Sequence, residues 1–89
     1  MVTSMRELTY IITDELGLHA RPAGLLVNAA TRFDCNVSIK SGTKLVDGKS
    51  ILGVMTLGLR QGAELNIIFE GKEEDECLKA IKAFLEENL

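Results

Sequence analysis

The chain has a single proline, Pro22, which stands three residues after its single histidine and just before a run of helix formers. Proline lacks an N–H and is tolerated in a helix only in the first turn, so a helix has to begin here. His19 therefore belongs to a helix N-terminus, delivered there by the pattern-breaking stretch Asp14-Glu15-Leu16-Gly17. Loops are where a reactive side chain can be reached. The unpaired amides of a first turn and the partial positive charge of the helix end disfavour imidazolium and welcome an anion. A neutral ring at such a place is a nucleophile. A phosphoryl group on it would find the amides of Ala20 and Arg21 and the guanidinium of Arg21 close by, with Pro22 shaping the rim without a donor.

The same residues admit a plainer reading, in which His19 is a cap or a packed ring and Arg21 a solvated charge. One histidine with no Cys, Asp or Glu clustered beside it does not make a metal site, so neither metal nor cofactor is expected. A Ser/His/Asp hydrolase is disfavoured because no nucleophile-elbow pattern occurs.

The rest of the chain reads as alternating strands and helices. Leu8, Tyr10 and Ile12 alternate with Glu7, Thr9 and Ile11, which predicts a first strand over 8–13 with one face on a core. After Pro22, Leu26, Ala29, Ala30 and Phe33 recur at helical spacing and leave Asn28 and Arg32 outward. Gly24 is a weak spot in that helix, costing roughly 1 kcal/mol against alanine. Val37 and Ile39 alternate within 36–40, and 43–46 follows across Ser41-Gly42, a hairpin whose glycine supplies positive φ. Asp47-Gly48 ends it, and Ser50 caps a short apolar helix that Gly58 closes. Leu65, Ile67 and Phe69 share one face of a central strand over 64–69. The final helix opens on Glu73, Glu74, Asp75 and Glu76, as the helix dipole prefers, and buries Cys77, Leu78, Ile81 and Phe84 or Leu85. The order is βαββαβα, and a four-stranded sheet with its helices on one face is the natural α+β solution at this length.

Ser50 is also a site at which a phosphate would be tolerated by the helix end while adding roughly −1.5 to −2 of charge. Beside it, Ile51, Leu52 and Met55 form either core or an exposed ridge next to His19. Val54 and Leu57 are the alternatives for filling the core, and methionine suits a surface that adapts to several partners.

The chain's 89 residues make one modest core, and a formal charge of −3 argues against general nucleic-acid binding. Tyr10, Phe33, Phe69 and Phe84 are mostly core-facing and leave no stacking platform for bases. Met1 to Met5 has no signal-peptide core and no apolar run approaches spanning length, so membrane insertion is not expected and a cytoplasmic location is. Cys35 and Cys77 lack CxxC spacing and read as reduced, buried side chains.

Gly17-Leu18-His19-Ala20-Arg21-Pro22-Ala23 resembles the active-site signature of HPr, the histidine-containing phosphocarrier of the bacterial phosphoenolpyruvate:sugar phosphotransferase system. Lys49-Ser50-Ile51-Leu52-Gly53-Val54-Met55-Thr56-Leu57-Gly58 is similar to that family's second signature, around a regulatory serine, in the form found in Gram-positive-type bacteria. The resemblance covers nearly the whole chain. It implies a single HPr domain over 1–89, an open-faced β-sandwich with three helices on one face, and the antiparallel strand order 1-4-2-3, which the pattern alone does not choose.

It further implies a carrier with a phosphohistidine intermediate rather than a self-contained turnover enzyme. By that resemblance the phosphoryl group is expected to originate in phosphoenolpyruvate, pass through a histidine on enzyme I to Nδ1 of His19 and move on to sugar-specific EIIA domains, with Arg21 steadying its oxygens. Ile51, Leu52 and Met55 match the patch that contacts those partners. An HPr kinase/phosphorylase is expected to modify Ser50, repelling enzyme I and recruiting a catabolite-repression transcription regulator. A carrier presenting one face to successive partners is most simply a monomer. Gly24 departs from the family's more usual Thr or Ala and withholds any side-chain contribution to the phosphate pocket. The alternative is an HPr-like regulatory module that uses Ser50 and the ridge without relay, although the regulatory paralogue known in form lacks the histidine present here.

Overall fold

β4 (Glu64–Glu70) is the strand on which the computed structural model is built, with Leu65, Ile67 and Phe69 fully buried on one face. The structure describes residues 5–89, so the reading of Met1 to Ser4 lies outside the described residues. β1 (Arg6–Ile11) pairs antiparallel with one edge of β4, setting Leu8 opposite Ile67 and Tyr10 opposite Leu65. β2 (Asn36–Ser41) pairs antiparallel with the other edge, setting Val37 opposite Phe69 and Ile39 opposite Ile67. β3 (Lys44–Asp47) completes a sheet of order β1-β4-β2-β3, joined to β2 by a turn in which Gly42 has φ of 60°. Each inward side chain thus meets an inward partner across the ladder, the unit from which sheets draw stability.

Three helices cover the apolar face: α1 (Ala20–Thr31), α2 (Ile51–Met55) and α3 (Glu74–Asn88). α1 buries Pro22, Ala23, Leu26, Val27 and Ala30. The buried stripe is rotated from the expected one, since Ala29 and Phe33 are only half-buried, while Asn28 and Arg32 face solvent as the spacing predicts. On α3, Cys77, Ile81 and Leu85 are buried, and Phe84 is the half-covered member of the last pair.

The first strand differs from expectation at both ends. It begins at Arg6, whose backbone pairs with Phe69 and whose Nε donates to Asp75 at 2.6 Å. It stops at Ile11, because Ile12 N–H turns to the Ala63 carbonyl at 2.9 Å and Thr13 N–H to the Leu89 carbonyl at 2.7 Å. Ile12 nonetheless stays in the core, and Ile11 is exposed. Among the described residues no helix is long and apolar enough to cross a membrane.

Candidate functional site

The loop between β1 and α1 is held on three sides before it presents His19. Asp14 organises it locally, its carboxylate accepting from Leu16 N–H at 2.8 Å and its carbonyl from Gly17 N–H at 3.0 Å. The segment before β4 holds it next: Leu18 N–H donates to the Leu59 carbonyl at 3.0 Å, and Gln61 Nε2 donates to the Thr13 carbonyl at 3.1 Å. Leu89 holds it last, its carbonyl accepting from Thr13 N–H, Thr13 Oγ1 and Asp14 N–H at 2.7 to 3.0 Å. Gly17 is required twice over. Its φ is 68°, and a Cβ there would stand 2.4 Å from the Leu59 carbonyl oxygen.

His19 is the N-cap of α1, in extended conformation, and its carbonyl accepts from Ala23 N–H at 3.0 Å. Its ring makes no capping hydrogen bond and is exposed to solvent, which removes the reading of this histidine as a cap or a packed side chain. The amides of Ala20 and Arg21 have no acceptor within the helix. Arg21 is exposed and, among the described residues, forms no ion pair. His19, Arg21 and Pro22 line one open depression of about 210 Å³ together with Asp14, Leu25 and Asn88. An uncommitted imidazole and an uncommitted guanidinium thus share a solvent-facing hollow at a helix start with two open amides, an arrangement suited to a transient anion.

Sequence reasoning missed Asp14, Leu25 and Asn88 as neighbours of the histidine. Leu25 carried a signal, being an apolar residue on the helix face opposite the core stripe. Asn88 carried none, because it arrives from the far end of the chain.

Ser50 caps α2 as expected, its Oγ accepting from Gly53 N–H at 3.1 Å. Lys49 fastens the segment from behind by donating through Nζ to the Phe33 carbonyl at 2.9 Å. Of the five apolar candidates nearby, Val54 and Leu57 enter the core, at 1% and 8% exposure, while Ile51, Leu52 and Met55 stay outside at 45%, 77% and 40%. The exposed set lies beside α1, since a Cβ on Gly24 would stand 3.5 Å from Ile51 Cδ1. Leu25 is 45% exposed, which continues the apolar surface to the edge of the His19 hollow. Gly24 adds no group to the hollow. Among the described residues no cluster of His, Cys, Asp and Glu could hold a metal ion.

The geometry of an exposed histidine at a helix start over an open-faced sandwich matches a known group of proteins. The model of the HPr component phosphorylation site of the phosphotransferase system matches residues 6–87. The histidine-containing phosphocarrier protein of a Mycoplasma is 36% identical, with a TM-score of 0.89 over 92% of this chain and 93% of that one. Phosphocarrier protein HPr from Bacillus anthracis is 35% identical, with a TM-score of 0.86 over 92% and 98%. The Bacillus subtilis catabolite repression HPr, Crh, is 34% identical, with a TM-score of 0.73 over 97% and 100%. The chain belongs to the HPr family, the phosphocarriers of the phosphotransferase system.

Proposed function

We propose that this chain, as a single monomeric domain in the cytoplasm, carries a phosphoryl group on His19. In this reading it accepts the group from enzyme I and passes it to sugar-specific EIIA domains. The observation that carries the reading is the uncapped, solvent-facing imidazole sharing a hollow with an unpaired Arg21. In the loading step the Nδ1 lone pair of His19 attacks phosphorus, the P–N bond to the donor histidine breaks, and its electron pair returns to the donor ring. Delivery reverses the roles. The charge of the moving group is met by Arg21 and the amides of Ala20 and Arg21, and such electrostatic placement is most of what phosphoryl transfer asks of a protein. The openness of the hollow suits exchange, since a closed clamp would stabilise the phosphorylated form against onward transfer.

Ile51, Leu52 and Met55 form the docking ridge in this reading, beside the reacting ring. Ser50 is a second phosphorylation site, modified by an HPr kinase/phosphorylase. Its phosphate would add negative charge at the edge of the ridge, weakening approach by enzyme I and favouring a catabolite-repression transcription regulator. Similarity to Crh, whose name couples the fold to catabolite repression, supports this regulatory layer.

The test is incubation with phosphoenolpyruvate and enzyme I, followed by intact mass and by acid and alkali treatment. Wild type is expected to gain one acid-labile, alkali-stable phosphate, and His19→Ala none. Absence of phosphate on wild type, with an enzyme I that loads a known HPr, would overturn the carrier role.

A further inference from the structure

The two cysteines have no part in either helix end, and the fold brings them together. The ladder between β2 and β4 pairs Asn36 with Glu70, so Cys35 lies alongside Gly71. A Cβ on Gly71 would stand 2.8 Å from the Cys35 Cα and 3.0 Å from its Cβ, so no side chain fits between the two segments. Two hydrogen bonds carry the start of α3 to the same place: Glu73 N–H donates to the Asp34 carbonyl at 3.1 Å, and Asp34 N–H donates to the Glu73 carboxylate at 2.7 Å. Cys77 follows one helical turn later, its N–H donating to the Glu73 carbonyl at 2.9 Å. Cys77 and Cys35 thereby lie in the same buried cluster, near enough for the Cys35 thiol to act on that of Cys77. Cys77 is wholly covered, and Cys35 keeps 7% of its surface.

We propose that Cys35 and Cys77 form a modification site, a thiol pair that closes into an intramolecular disulfide when the protein meets a low-molecular-weight disulfide oxidant. Cys35, the cysteine with residual exposure, makes the first attack as its thiolate. A bond forms to one sulfur of the oxidant, the oxidant's own S–S bond breaks, and one small thiolate leaves. Cys77 then attacks the Cys35 sulfur, expelling the second small thiolate, which leaves with the Cys77 proton. Two protein thiols have given up two electrons and two protons, and the oxidant leaves as two thiols.

Burial pushes the Cys77 thiol up to about 12, with the Cys35 thiol adding to the rise and the Lys49 ammonium opposing it. The second attack is correspondingly slow at neutral pH, and both cysteines are free in the structure. The closed bond would join the start of β2 to the start of α3 across nearly half the chain, which restricts the unfolded ensemble. Cys35 follows the C-terminal end of α1 and His19 precedes its N-terminal end, with twelve residues or about 18 Å of helix between them. The modification consequently leaves the His19 hollow alone.

The experiment is treatment of the native protein with excess oxidised glutathione at mildly alkaline pH, read by thiol titration, intact mass and peptide mapping. Expected are the loss of both thiols, a mass decrease of two hydrogen atoms, a peptide linked through Cys35 and Cys77, and a urea midpoint raised above that of the reduced protein. Dithiothreitol is expected to reverse all four. Cys77→Ala is expected to stop at a glutathione adduct on Cys35, and Cys35→Ala to protect Cys77 from modification. Native wild type that keeps both thiols free, or that stops at the glutathione adduct, overturns the proposal.

Discussion

The N-termini of α1 and α2 lie side by side on one surface and are finished in opposite ways. At α2, Ser50 spends its hydroxyl on the Gly53 amide, the third of the first turn. At α1, His19 occupies the capping position and caps nothing, since the third residue of the turn is Pro22 with no N–H, and its ring stays free beside the open amides of Ala20 and Arg21. The two ends therefore differ in what a phosphate would do. On His19 it would fill an unmet need of the helix end. On Ser50 it would take over from a hydroxyl already engaged, and its main effect would be the charge it brings to the ridge.

Four substitutions test that contrast, beginning at the open end. Arg21→Ala removes the only side-chain cation lining the hollow among the described residues, and is expected to slow phosphoryl transfer by about 10²-fold. Stability should move by less than about 0.5 kcal/mol, as for other exposed positions, and rapid-quench transfer beside urea unfolding separates the two effects. An equal loss in both would show that Arg21 holds the fold rather than the phosphate.

Gly17→Ala attacks the placement of the open end rather than its chemistry. The added methyl meets the Leu59 carbonyl in a left-handed backbone, so the loop has to shift, at an expected cost of about 1–3 kcal/mol. Transfer through His19 should fall with it, while the Ser50 cap should be unaffected, as judged by the exchange protection of the Gly53 amide.

Ser50→Ala uncaps the closed end, with an expected loss of about 1 kcal/mol in urea unfolding and unchanged loading of His19. A loading defect in this variant would mean that the two ends are not independent. The smallest effect is expected from Gly24→Ala. Its methyl meets Ile51 Cδ1 at an ordinary 3.5 Å, and removal of a helical glycine should raise stability by up to about 1 kcal/mol without altering transfer.

The two ends were not equally legible in the sequence. Ser50 could be read completely, because a cap is a local device whose donor, Gly53, lies three residues away. His19 could be placed at a helix start from Pro22 alone, but not oriented, because the groups that hold its loop are Leu59, Gln61 and Leu89, far off in the chain. The face of β4 followed directly from its alternation. The limits of β1 did not, since Arg6 pairs with Phe69 and sends its side chain to Asp75 on α3, which no periodicity announces, and Thr13 leaves the strand for Leu89. Strand order needed the family resemblance, because antiparallel neighbours separated by whole helices leave no trace in local pattern.

The hydrogen bonds from Thr13 and Asp14 to the Leu89 carbonyl also set an order of events. A contact between residues so distant in sequence can close only after the intervening chain has been gathered, and it releases when the last turn of α3 frays. The loop that presents His19 is thus expected to be completed late in folding, and it is coupled to the last turn of a helix. Local opening at the end of α3 would loosen the grip on the phosphoryl-carrying loop without any unfolding of the sheet beneath it.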